Sequence, residues 1–168
     1  MTVRRAVAAL AAVVSAMIVQ AGLVVPLAGH IPVSLPAILV AAVALATGPS
    51  TGIALGFTAG LLADLASQHP AGVLALCWLG LGVGAGLLAE HTTKRRAIIA
   101  GALAALSTFA AGLLLAALGP YGTPAMDCIR YAGPAAIGDV AVALALTPIV
   151  QAMLRSPALR ARPAVRRA

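Results

Sequence analysis

The chain has 168 residues, of which 62% are hydrophobic and only 9% are charged, and its formal net charge is +7. Soluble domains carry about 25% charged residues. This composition, with a mean hydropathy of +1.06, therefore excludes a soluble globular protein and predicts one whose solvent is lipid.

Six apolar segments follow one another, separated by turns rich in Gly, Pro and His. Four of them approach the ~20 residues that a spanning helix needs. The second and third are shorter, so they either cross a thinned bilayer or form a re-entrant hairpin. We favour crossing, because irregular backbone at membrane depth must be shielded by protein. These segments predict an all-α integral membrane protein with a six-transmembrane helix bundle. They are Ala6–Leu27, Val33–Ala46, Thr51–Ala66, Ala71–Ala89, Ala97–Leu118 and Ala132–Leu154.

The third segment has the most informative spacing in the chain. Gly52, Gly56, Gly60 and Asp64 are four residues apart, so on a helix they share one narrow stripe. Glycine costs about 1 kcal/mol against alanine inside a helix, and three in register indicate that another backbone approaches closely. A carboxylate at the end of the stripe indicates a polar contact. The stripe is predicted to be a packing face, within the bundle or toward a partner's helix.

Asp139 is the other acidic residue within an apolar segment, and it lies in the second turn of the predicted sixth segment. Two interpretations are open. It reaches water and interacts favourably with the helix dipole, which we favour, or it makes an intramembrane polar contact. The three histidines fall in loops, and no catalytic, metal-binding or phosphate-binding motif accompanies them. We therefore expect no enzymatic activity and no cofactor.

The basic residues predict the orientation of the chain. Cytoplasmic loops carry an excess of Lys and Arg, and with six spans all eleven except Arg130 fall on one side. Both termini are therefore predicted to be cytoplasmic, with residues 1–154 forming the bundle and 155–168 a basic cytoplasmic tail. The same distribution explains the positive charge without nucleic acid. The residues expected to set the topology are Arg4, Arg5, Lys94, Arg95, Arg96 and Arg155.

One part of the sequence carries a family resemblance. Within Pro36 to Leu76, the dipeptide Gly48-Pro49 is followed by the pattern GFxxGLLxDL, which runs from Gly56 to Leu65. This pattern resembles the rod shape-determining membrane protein family MreD. The resemblance covers roughly residues 5–118 in order and character.

The resemblance implies a non-enzymatic, multi-pass protein of the bacterial inner membrane that supports cell shape and lateral peptidoglycan synthesis. It implies a direct partner, an MreC-like bitopic membrane protein. It also implies indirect partners: an MreB-like actin homologue, a RodA-type glycosyltransferase and a class B penicillin-binding transpeptidase. Because the family is similar in fold to the small subunits of vitamin transporters, the alternative function is a substrate-binding membrane subunit of a small-molecule transporter.

Overall fold

The computed structural model describes residues 3–24, 26, 33–67, 70–92, 95–118 and 124–156, and the regular structure in these ranges is entirely helical. The predicted all-α class is confirmed. His30, His69, Lys94 and residues 157–168 of the predicted tail lie outside the described ranges. The α-helices are α1 (Val3–Val19, continued by a π-helical turn over Gln20–Val24), α2 (Leu35–Thr47), α3 (Pro49–Leu65), α4 (Val73–Leu87), α5 (Arg96–Ala117) and α6 (Ala125–Arg155).

Three of these helices are long and apolar enough to cross a membrane, by length and composition: Arg4–Val24, Arg96–Ala117 and Ala125–Arg155. The prediction of four long segments is wrong at the fourth, because α4 has only 15 residues. The predicted fourth segment, Ala71–Ala89, is longer than the helix, because the positive φ of Gly72 (104°) is not helical and α4 begins at the next residue. The 13-residue α2 is about 20 Å long, shorter than the ~30 Å hydrocarbon layer.

The last helix begins earlier than its hydropathy indicates. It starts at Ala125 rather than Ala132, and Asp127 and Arg130 lie within it. Charged residues lower the mean hydropathy of a segment, but they do not prevent the backbone from remaining helical. As a consequence, Asp139 lies near the middle of a 31-residue helix and not in its second turn.

The core of the protein is built around α2. Ten consecutive residues, Pro36 to Leu45, are buried, and α2 packs against all five of the other helices. A helix that is apolar on every side must be enclosed by other apolar surfaces. The sequence of α2 satisfies this condition, since it contains no charged residue.

Two antiparallel helix pairs surround α2. In the α3–α4 pair, Gly52 faces Gly82 and Gly60 faces Leu74. In the α5–α6 pair, Gly101 faces Val140 and Gly112 faces Cys128. Helix α1 packs against α2 and α3.

Gly48 alone joins α2 to α3. Its φ is 94°, and its N–H donates a hydrogen bond to Ala44 O at the end of α2. Pro49, which follows, is the first residue of α3. At this position a backbone N–H would have no acceptor within the helix, so proline costs no hydrogen bond there. Glycine adopts this φ without the steric cost that a Cβ brings, so the dipeptide ends one helix and begins the next.

Candidate helix-packing site

The glycine stripe of α3 lies against the backbone of α4. A Cβ added at Gly52 would lie under 3.0 Å from the carbonyl oxygen of Gly82. The same holds for Gly56 against the carbonyl oxygen of Trp78, and for Gly60 against Leu74 and Ala75. Real Cβ atoms essentially never come this close, so any larger residue forces the two helices apart.

Helix α4 contributes glycines of its own to the same contact. Gly82 lies against the backbone of Gly52, and Gly86 lies against Pro49 and Gly48. By contrast, Gly80 and Gly84, on the same helix, have open space where a Cβ would stand. The four glycines thus divide into one buried pair at the contact and one pair with room for a side chain.

Asp64 caps the helix against which the stripe packs. Its side chain is 2% exposed. Oδ2 accepts hydrogen bonds from the backbone N–H groups of Gly72 (2.8 Å) and Ala75 (2.9 Å), and Oδ1 accepts one from Leu74 (3.1 Å). The first N–H groups of a helix have no intrahelical acceptor. Gly72, the residue before α4, has no side chain that could accept a hydrogen bond from them. The carboxylate at the end of α3 therefore satisfies the start of α4.

Asp139 meets a different helix start. It is fully buried on α6, and its Oδ1 accepts a hydrogen bond of 2.9 Å from the backbone N–H of Ser34, the residue before α2. The backbone of Asp139 and Val140 lies against Gly101 of α5. The structure thus places this carboxyl group between α6 and the start of α2, away from solvent.

Gln20 completes the polar contacts at the start of α2. Its Oε1 accepts a hydrogen bond of 2.9 Å from the N–H of Leu35, and its Nε2 donates to the carbonyl oxygen of Val33. Sequence reasoning missed this residue. The one signal that could have identified it was an amide side chain within a largely apolar first segment. The π-helical turn that begins at Gln20 has no sequence signature of its own.

The predicted topology residues lie at helix ends where the structure describes them. Arg4 is exposed and Arg5 partly buried in the first turn of α1, while Arg155 is exposed at the last residue of α6. Arg95 precedes α5, and Arg96 donates from Nε to Thr92 O (2.6 Å) and from Nη2 to Ala89 O (3.3 Å).

A small groove between α1 and α3 has a volume of about 150 Å³. Most small-molecule sites enclose roughly 300–1,000 Å³ and contain a few oriented polar groups. The polar residues of the groove are Thr51 and Thr58, and the Thr58 hydroxyl donates to Ala54 O. In the described ranges, no three His, Cys, Asp or Glu side chains gather as metal ligands would. The groove therefore gives no support to the vitamin-binding alternative.

Comparison with known proteins is informative at the family level. The family model for rod shape-determining protein MreD matches residues 4–157. The match includes α6, beyond the part of the sequence that carries the motif. No curated protein and no solved structure matches the chain. Given a family model that matches nearly the whole chain and a structure built from apolar helices, the protein belongs to the MreD family of non-enzymatic, multi-pass membrane proteins that determine rod shape during cell elongation.

Proposed function

We propose that this chain is a membrane scaffold of the rod complex, which binds an MreC-like bitopic protein through helix–helix contacts in the bacterial inner membrane. The family match over residues 4–157 is the observation that carries this proposal. Through that partner the scaffold supports lateral peptidoglycan synthesis by an MreB-like actin homologue, a RodA-type glycosyltransferase and a class B penicillin-binding transpeptidase.

The proposed topology has six spans, with both termini in the cytoplasm. The starts of α1 and α5 and the end of α6 all carry arginine. These three ends are on the same side of the bilayer if every helix crosses it. An excess of basic residues marks that side as cytoplasmic. Reporter fusions support the topology if a fusion after Ser156 is cytoplasmic and one within residues 119–123 is periplasmic.

We propose that the stripe of Gly52, Gly56, Gly60 and Asp64 acts within the chain. Its glycines already contact the backbone of α4, and Asp64 already accepts three backbone hydrogen bonds there. The stripe therefore maintains the shape of the bundle, and a partner's helix meets other, lipid-facing surfaces. Disruption of the stripe affects partner binding indirectly, through the bundle.

Co-purification tests the scaffold function and the role of the stripe separately. The tagged chain is purified from membranes of cells that produce an MreC-like protein, as wild type, Gly56→Leu and Gly80→Leu. We expect the partner with the wild type and with Gly80→Leu, whose added side chain enters open space, and a strong reduction with Gly56→Leu. Failure of the wild type to retain the partner would contradict the scaffold function. Equal recovery with Gly56→Leu would instead contradict the role of the stripe.

A further inference from the structure

The two buried aspartates differ in how many of their oxygens have hydrogen-bond partners. Both oxygens of Asp64 accept backbone N–H groups. Asp139 is 0% exposed, and only its Oδ1 has a donor, the N–H of Ser34. Its Oδ2 is buried, and no hydrogen-bond partner reaches it within the described part of the chain. A buried carboxylate oxygen without a donor is strongly disfavoured.

Among the residues that the structure describes, no cation is positioned to compensate a negative charge on Asp139. Helices α2 and α5 pack against α6. Helix α2 has no ionisable residue, and the only one in α5, Arg96, binds the carbonyl oxygens of Ala89 and Thr92. On α6 itself the basic residues are Arg130 and Arg155, which are roughly 13 Å and 24 Å away along the helix axis at 1.5 Å per residue.

The other described groups considered around Asp139 are also neutral or distant. The side chain next to Ser34 that contacts the same helix start is the amide of Gln20. The arginines of α1, Arg4 and Arg5, are at the other end of that helix from Gln20. The ionisable groups Asp127, Cys128 and Tyr131 lie in the first two turns of α6, and none of them is a cation that could stabilise a carboxylate at Asp139.

We propose that Asp139 is a proton-binding site and that its side chain is a neutral carboxylic acid in the folded bundle. The proton comes from water and bonds to Oδ2, so that Oδ1 remains the acceptor for Ser34. Protonation changes Oδ2 from an oxygen that needs a donor into a hydroxyl that donates. Helical backbone carbonyls are the acceptors available to such a donor in a helix interior. The contact between α6 and the start of α2 then requires the bound proton, because its loss leaves an unpaired charge between the two helices.

Infrared spectroscopy tests the proposal directly, since the carbonyl stretch of a protonated carboxyl is separate from that of a carboxylate. The chain has four acidic residues, Asp64, Glu90, Asp127 and Asp139. Full-length protein with carbon-13 in its aspartate carboxyls is measured in lipid nanodiscs at neutral pH. We expect one protonated-acid band that shifts with the label. Absence of a labelled band in the wild type would overturn the proposal.

Single amide variants assign the band to its residue. Asp139→Asn is the neutral isostere, and we expect it to eliminate the labelled band completely, whereas Asp64→Asn and Asp127→Asn retain it. If Asp139→Asn does not fold, persistence of the band in both of the other variants assigns it by elimination. Loss of the band in a folded Asp64→Asn or Asp127→Asn variant, or its retention in a folded Asp139→Asn variant, would overturn the proposal. The inference rests on the surroundings of Asp139 alone, and not on the scaffold function.

Discussion

At the scale of single residues, Asp64 connects the end of α3 to the start of α4. It collects three N–H groups at the start of α4, two on Oδ2 and one on Oδ1. Its position relative to Gly72 explains why an acid lies at the end of an otherwise apolar helix. Gly72, the residue that precedes α4, has no side chain with which to cap that helix. A carboxylate also interacts favourably with the positive end of the helix dipole.

Asp64→Asn is expected to lower the free energy of unfolding by about 1–3 kcal/mol, the usual cost of leaving a buried hydrogen-bonding group unsatisfied. The amide presents one oxygen and one NH₂ group, so at least one backbone N–H of α4 faces another donor. Thermal unfolding of the purified protein in detergent measures the effect. Glu90→Gln is the matched control, because Glu90 is exposed. Equal midpoints for the two variants would show that Asp64 is not a cap.

At the scale of helices, the α3–α4 contact depends on which glycines face the neighbouring backbone. Spacing alone predicts rows in α4 at Gly80 and Gly84 as well as at Gly82 and Gly86, and only the second row lies at the contact. The difference is rotational: positions two residues apart lie on nearly opposite sides of a helix. The sequence therefore identifies glycine rows that could pack closely. Which of these rows faces another helix is decided by the packing of the helices around it.

Gly56→Ala is expected to destabilise the bundle by roughly 1–3 kcal/mol, the typical cost of overpacking a well-packed interface. The added Cβ would lie under 3.0 Å from the backbone carbonyl oxygen of Trp78, so α3 and α4 must separate. Gly84→Ala should instead be neutral or stabilising, by up to about 1 kcal/mol, because alanine favours the helix and its Cβ meets open space. Parallel unfolding measurements in one lipid or detergent compare the pair. A stabilising Gly56→Ala would be incompatible with the packing described here.

At the scale of the whole molecule, the bundle depends on a short central helix that every other helix contacts. Ile38 on α2 is 0% exposed, whereas Ile137 on α6 is 74% exposed. The two residues have the same side chain and lie in apolar helices. Substitutions at these two positions therefore distinguish how much internal packing and how much contact with the surrounding lipid contribute to stability.

Ile38→Ala is expected to cost about 2–5 kcal/mol, as for other large-to-small substitutions that leave a cavity in a packed interior. Ile137→Ala should change the stability by far less, because lipid or detergent tails occupy the space left at an exposed position. The measurement is the unfolding midpoint of each variant, with the amount inserted in the membrane as a control for expression. Comparable losses for both would argue against α2 as the centre of the bundle.

The sequence by itself determined the all-α class of this protein, the number of helices in the described ranges and the family. These follow from local properties: too few charged residues for a water-exposed surface, glycine and proline at helix boundaries, and the motif from Gly56 to Leu65. It also singled out Gly52, Gly56, Gly60 and Asp64 as a candidate packing face. Hydropathy placed the start of α6 too late and overestimated the length of α4. It measures the preference of side chains for lipid and not the extent of the helical backbone.

Only the tertiary structure decided what the polar groups contact. Asp139 meets Ser34, which is 105 residues away along the chain, and Gln20 meets Leu35. Asp64, in contrast, caps a helix that begins within ten residues of it, although nothing in the spacing specifies that pairing. Helix periodicity fixes which residues share a face, and packing fixes what that face meets. Hydrogen bonds between distant segments arise only once the helices have assembled, so they leave no periodic pattern in the sequence.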